Sequence, residues 1–186
     1  MCLRFTSIPR FDIALIRLAT NQELERSELW PVCLPSSPVD SYADTSVTVI
    51  GWGKLKREED KSSARTLQRL EGRVISQESC QSQRTDITIG GPKMCFTSEK
   101  GAPCSGDSGG GGGMYTRDGN NTVHLIGVCS LGPVNNMHCI PGSTKVYTKL
   151  AHPQVLDWIR ETIGVEELSM ENCGVTNPAV RISEGY

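Results

Sequence analysis

Apolar residues in this chain fall into short runs, and turn-forming residues repeatedly interrupt them. Phe11 to Leu18 is one run, ending before Ala19-Thr20-Asn21. Ser46 to Gly51 carries Val47, Val49 and Ile50, and Leu67 to Ile75 carries Leu67, Leu70, Val74 and Ile75 among polar residues. Lys93 to Thr97, Val123 to Ser130 and Thr144 to Leu150 continue the series, with Gly, Pro, Ser and Asn between the runs. Short strands with frequent turn signals predict an all-β sandwich or barrel. The charged, apolar-poor stretch Lys54 to Lys61 is expected to be a solvated loop between strands. No internal repeat is visible.

One segment departs from that rhythm. Val155, Leu156, Ile159 and Ile163 recur at helical spacing, with Trp158 beside them. Pro153 suits a first helical turn, where its missing N–H does no harm, and Gly164 is a suitable C-terminal stop. This predicts a helix over 152–163. Residues 165–186 are polar, contain Asn177-Pro178, and read as a tail with little structure of its own.

Eight cysteines bear on the compartment. They stand at positions 2, 33, 80, 95, 104, 129, 139 and 173, with no Cys-x-x-Cys pair, so a zinc ribbon or thioredoxin-like motif is not expected, nor any metal or cofactor. Disulfides in an oxidising compartment are the expected reading, with free buried thiols of a cytosolic protein as the alternative. Asn120-Asn121-Thr122 is a glycosylation sequon in a polar loop, which fits secretion. Met1 to Thr6 lacks the basic start and apolar centre of a signal peptide, so the front of the protein is expected to be missing. The net charge of −2 gives no reason to expect nucleic acid or an anionic membrane as partner. No apolar run reaches the roughly 18 residues of a transmembrane helix.

Chemistry concentrates in Cys104-Ser105-Gly106-Asp107-Ser108-Gly109-Gly110. A serine hydroxyl is a weak nucleophile at neutral pH. It needs a general base within hydrogen-bond reach and a third group that orients that base. The three histidines, His124, His138 and His152, all follow Ser108. His152 reads as a capping or surface residue and His124 as a satisfied histidine on a sheet face. His138, beside Cys139, lies near the expected rim of a pocket.

The flanks of that loop organise the reading. Phe11 to Leu18, Trp30-Pro31-Val32-Cys33-Leu34-Pro35, Gly51-Trp52-Gly53, Met94-Cys95, Ala102 to Gly110, Val146-Tyr147-Thr148-Lys149 and Trp158-Ile159 follow one another in an order that resembles the trypsin/chymotrypsin-like serine proteases. The resemblance covers roughly residues 11–164. It implies a trypsin-like double β-barrel with the first barrel largely missing, plus a C-terminal α-helix. Residues 1–40 would be a remnant of the first barrel and the interdomain linker, 41–164 the second barrel with its closing helix, and 165–186 the tail.

The resemblance also assigns roles. Ser108 is expected to be the acyl-forming nucleophile and Asp12 the carboxylate that orients the base. The backbone N–H groups of Gly106 and Ser108 would form the oxyanion hole. Asp107 would pair with the α-amino group freed by activation cleavage. With no such group in this chain, a zymogen-like, partly disordered loop is expected around it, because a buried carboxylate without its cation is costly. The family's base lies well before the triad Asp, so the chain is read as a fragment lacking it and inactive alone.

The implied specificity pocket consists of Ala102 at its base, Ser130, Leu131 and Gly132 along an edge, and Lys145 at a deep wall. Ala102 stands where a trypsin-like enzyme has Asp, which argues against Arg or Lys specificity. An apolar or small residue before the scissile bond is expected. Lys145 could instead favour an acidic one, unless it points outward. Implied disulfides are Cys80–Cys95 and Cys104–Cys139. Cys33 would pair upstream, with Cys2 or with Cys173. A further family bridge is replaced by Val47, Thr48 and Val49 on one side and Gly111 to Met114 on the other. The five glycines 109–113 predict a loose strand after the nucleophile. The implied function is a secreted serine endopeptidase acting on proteins or peptides and open to protein inhibitors. The alternative is a non-catalytic homologue that binds a partner through the same surface.

Overall fold

A computed structural model describes residues 4–8, 11–19, 31–38, 41–55, 63–110, 112–132, 139–164 and 173, with backbone alone at 4–8. Two sheets and two helices result. Strands β1 (Arg4–Ile8) and β2 (Ile13–Arg17) form an antiparallel pair. Six more strands close into a barrel: β3 (Ser46–Gly51), β4 (Gln68–Ile75), β5 (Lys93–Thr97), β6 (Gly113–Arg117), β7 (Val123–Leu131) and β8 (Lys145–Lys149). Their spatial order is β3-β4-β5-β8-β7-β6, with β6 returning to β3. Helices α1 (Gln77–Gln83) and α2 (Pro153–Ile163) complete the elements. The expected β-barrel and C-terminal helix are thus observed.

The alternation of apolar residues explains the barrel. In β3, Val47, Val49 and Gly51 are buried while their neighbours are not. Val47 and Val49 meet Val74, Met94, Phe96, Met114, Ile126, Cys129 and Tyr147 in one core. Side chains two apart on a strand share a face, so each strand feeds this core every second residue. Strand β8 is buried throughout because its other face is covered too. Val146 packs there against Cys80 and Cys95.

Helix α2 is held by its apolar stripe. Val155 and Ile159 pack with Leu150, and Phe11, Ile13, Leu15, Leu34, Leu125, Val128 and Trp158 surround them. Gly164 closes the helix in the left-handed conformation at φ 73°, its N–H donating to the Arg160 carbonyl at 2.9 Å. This cluster carries the segment bearing Asp12 onto the barrel. His152 sits at the N-cap without a side-chain cap hydrogen bond, its ring against Phe11 at 5.6 Å between centroids. His152 thus stands at the capping position, as expected, with its side chain turned to Phe11 instead of the helix N–H groups.

Helix α1 has no counterpart in the sequence reading. Its seven residues, Gln-Glu-Ser-Cys-Gln-Ser-Gln, bury only Cys80, so no apolar period announces it. Ser76 starts it by accepting a hydrogen bond from the Ser79 N–H at 3.1 Å.

Three disulfides tie the fold together: Cys33–Cys173, Cys80–Cys95 and Cys104–Cys139. The first links residues 140 apart and leaves Cys129 as a buried free thiol among the described residues. The segment around Cys33 also bridges β7, where the Leu125 N–H donates to the Cys33 carbonyl at 2.8 Å. Cys2, most of Lys54 to Lys61 and all of the tail but Cys173 lie outside the described residues.

Candidate active site

The Ser108 loop is pinned to β7 by backbone hydrogen bonds on both sides. The Gly109 N–H donates to the Cys129 carbonyl at 2.9 Å, and the Cys129 N–H donates to the Gly112 carbonyl at 3.1 Å. Gly106 and Gly109 adopt φ of 99° and 84°, a region that side chains other than glycine's rarely tolerate. The loop turns sharply there and leaves Ser108 exposed.

Asp12 is brought to the same strand. The Thr148 hydroxyl on β8 donates to the carbonyls of Phe11 at 3.0 Å and Asp12 at 3.1 Å. Asp12 itself takes φ 47°, which aspartate tolerates better than most residues. Ser130 Oγ donates to Asp12 Oδ2 at 2.5 Å. That aim has a structural cause: between Cys129 and Leu131 the β7–β8 register slips, Cys129 facing Tyr147 and Leu131 facing Val146. Ser130 is the extra residue of a bulge, and bulges redirect side chains. Asp12 and the Ser108 loop therefore meet through two successive residues of β7, Cys129 and Ser130.

Asp107 is buried and its carboxylate is caged. Oδ1 accepts the Gly53 N–H at 2.8 Å and Oδ2 accepts the Cys104 N–H at 2.9 Å. No side chain other than hydrogen fits at position 53, since a Cβ there would lie 2.3 Å from Oδ2. Gly53→Ala is expected to displace the carboxylate and lower folding stability by about 1–3 kcal/mol, read from the denaturant midpoint. An unchanged midpoint would remove this cage from the account. Gly112 is equally constrained, because a Cβ would lie 2.6 Å from both the Asp107 carbonyl oxygen and Cys129 Cβ. At position 112, glycine permits close packing of the nucleophile loop on β7.

A cavity of about 370 Å³ opens beside this carboxylate, lined by Gly53, Lys54, Leu70, Ala102, Asp107 and Pro141 among others. Ala102 thus lies on the cavity wall with Asp107. The other residues expected in the pocket, Ser130, Leu131, Gly132 and Lys145, do not line this cavity; Leu131 is 42 % exposed, Gly132 is half-buried and Lys145 is 2 % exposed. Burial lowers the Lys145 pKa to about 8; Arg84 acts the same way, while Cys129 and Asp107 oppose it. Burial, with Asp107 adding, raises the Cys129 thiol to about 11, so it stays protonated and unreactive at neutral pH. Burial also pushes the Tyr147 phenol upward.

Neither described histidine serves Ser108. His124 Nε2 lies 3.2 Å from Asp118 Oδ2, in the β6–β7 hairpin. His152 is taken up by Phe11, and burial, then Lys149, lowers its pKa. His138 lies outside the described residues. Asn120 is exposed at the hairpin tip, where Asp118 Oδ1 accepts the N–H groups of Asn120 and Thr122, each at 2.9 Å. Among the described residues no cluster of three or more His, Cys, Asp or Glu could hold a metal ion, and no helix is long and apolar enough to cross a membrane.

Sequence reasoning missed the partners of these groups. From sequence Ser130 reads as an edge residue, and nothing in its neighbours signals the bulge that turns it to Asp12. From sequence Gly53 reads only as part of a turn motif.

The family model described as Trypsin matches residues 4–159. Bovine (Bos taurus) coagulation factor XI is 31 % identical over 153 residues, covering 81 % of this chain and 23 % of that protein. Human (Homo sapiens) testisin is 29 % identical over 174 residues, covering 89 % and 52 %. Transmembrane protease serine 9 of Rattus norvegicus is 34 % identical over 156 residues, covering 82 % and 14 %. The chain therefore spans about half or less of the length of these relatives.

Proposed function

Because the chain belongs to the trypsin family, matched over residues 4–159, we propose that it is part of a serine-type endopeptidase whose nucleophile is Ser108 and whose base histidine lies outside these 186 residues. The observation that carries this reading is the joint anchoring of Asp12 and the Ser108 loop on β7 through Ser130 and Cys129. A binding protein has no need for that arrangement.

In the proposed reaction, the Ser108 hydroxyl attacks the scissile carbonyl and gives its proton to the histidine. Asp12 holds that histidine in the required tautomer and stabilises its cation. The oxyanion of the tetrahedral intermediate accepts hydrogen bonds from the Gly106 and Ser108 N–H groups. The histidine returns the proton to the leaving amine, and water then hydrolyses the acyl-enzyme. An α-amino group freed by activation cleavage would enter the cavity beside Asp107. The chain by itself is expected to be inactive. Its substrates would be proteins or peptides, its regulators protein inhibitors, and its compartment extracellular, consistent with three disulfides and an exposed sequon.

Pocket chemistry argues against cleavage after Arg or Lys. Ala102 offers no carboxylate, and buried Lys145 adds a cation. A small or apolar residue before the scissile bond is the proposed preference. An acidic residue is the second reading, favoured by the burial of Lys145 away from solvent. The test uses the longest product that the transcript encodes, activated by limited proteolysis, on peptides differing only at that residue. Leu or Phe peptides are expected to exceed Arg and Lys peptides in kcat/KM by at least about tenfold. Preferential cleavage after Asp or Glu would select the second reading, and efficient cleavage after Arg would overturn both. Cleavage of none would favour the non-catalytic homologue, which the exposed Leu131 on the substrate edge also fits.

A further inference from the structure

Asp12 is exposed, so no packed core fixes its carboxylate. Its backbone stands at φ 47°, a conformation that persists only where the surroundings hold it. Among the described residues, two side chains donate to it. Ser130 on β7 holds the carboxylate, Oγ to Oδ2, at 2.5 Å. Thr148 on β8 holds the main chain, its hydroxyl 3.0 Å from the Phe11 carbonyl and 3.1 Å from the Asp12 carbonyl. A threonine hydroxyl has one proton, and here both acceptors share it. The place of Thr148 follows from its strand. Tyr147 points into the barrel core, so Thr148, next along, points to the opposite face. On that face Phe11 packs into the cluster around α2. Thr148 is 3 % exposed, and its strand is paired on both sides, with Lys93 of β5 and Val128 of β7. The donor is therefore fixed by the barrel, whereas the residue it holds is exposed and strained.

We propose that Thr148 is a positioning residue: its hydroxyl holds Asp12 in the left-handed conformation that aims the carboxylate at Ser130. Without that hydroxyl, the Phe11 and Asp12 carbonyls lose their shared donor. Asp12 is then free to relax to a common φ, and its carboxylate turns away with the backbone. Thr148 touches no reacting atom, so its effect on rate passes through Asp12 alone. A misplacement of about 1 Å at such a group is enough to cost one to two powers of ten in rate. The catalytic half of this proposal rests on reading Asp12 as the carboxylate that orients the base. The coupling of Thr148 to the contact between Asp12 and Ser130 does not.

The first arm of the test needs no turnover. In the 186-residue chain, carbon-13 NMR follows the side-chain carboxyl resonance of Asp12. Ser130→Ala is expected to shift it in the unsubstituted chain, and to leave it unmoved when added to Thr148→Val, where the contact is already lost. An equal shift from Ser130→Ala in both backgrounds would overturn the proposal. If Thr148→Val does not fold, the Thr148 hydroxyl proton of the unsubstituted chain decides: slow exchange with water is expected, and free exchange overturns the proposal. The second arm uses the activated, longest product of the transcript. Thr148→Val should lower kcat by about tenfold with KM held, and Thr148→Ser should recover most of that loss. Added to Asp12→Asn, Thr148→Val should cost nothing further, since both changes act through one group. A purely structural role would cost the same factor in both backgrounds, and that result would overturn the proposal. An activated product that cleaves no peptide would count against the endopeptidase reading, and the Asp12 carboxyl resonance then decides for or against Thr148 by itself.

Discussion

Ser108→Ala in the activated, longest product of the transcript is expected to lower kcat by on the order of 10⁶ with little change in KM. The size follows from chemistry. Removing Oγ leaves no atom to form the acyl-enzyme, and the histidine and Asp12 then have no proton to move. Residual rate would come from the oxyanion hole and substrate binding alone. KM should hold because Ser108 is exposed and the loop's conformation is set elsewhere: by the Gly109 bond to Cys129, the Gly53 and Cys104 bonds to Asp107, and the glycines at 106 and 109. Steady-state kinetics on the best peptide checks this. A variant that keeps a tenth of the rate would move the nucleophile to another residue.

Asp12→Asn is expected to lower kcat by about 10⁴. An amide in place of the carboxylate can present its NH₂ to the histidine and fix the wrong tautomer, and it cannot stabilise the imidazolium. The structure adds a gradation. Ser130 Oγ donates to Asp12 Oδ2 at 2.5 Å, so Ser130 holds the carboxylate in place without touching the reacting atoms. Ser130→Ala should cost about tenfold, the scale of one hydrogen bond to a charged group. Equal losses in the two variants would mean that Asp12 acts only as a structural anchor for the strand. Both variants should retain the unsubstituted protein's thermal midpoint to within a few degrees, since Asp12 and Ser130 are not part of the core.

Ser46–Gly51 and Lys93–Thr97 were legible to the residue because their alternating apolar positions face one core. The closing helix was legible from its stripe and from Gly164. Strand β6 was not bounded, because its polar and glycine residues carry no period; its place is set by pairing with β3 and β7. Helix α1 escaped because its polar residues bury only Cys80. The catalytic candidates were legible through motif resemblance, but their supports were not. Ser130 reaches Asp12 across 118 residues of sequence, and Gly53 reaches Asp107 across 54. A single chain gives no local signal for contacts of that separation. Asp107 shows the difference most plainly: its motif announces a carboxylate, and nothing near it announces the Gly53 N–H that it accepts.

The reading of this chain as a serine-type endopeptidase stands on the reactivity of one hydroxyl. Mass spectrometry after treating the activated protein with a fluorophosphonate tests it most directly. Such a reagent phosphonylates a serine only when a base and an oxyanion hole activate it. The account predicts one adduct per molecule, on Ser108, absent after Ser108→Ala and absent in the 186-residue chain alone. An activated full product that carries no adduct on Ser108, or carries it on another serine, would contradict the account.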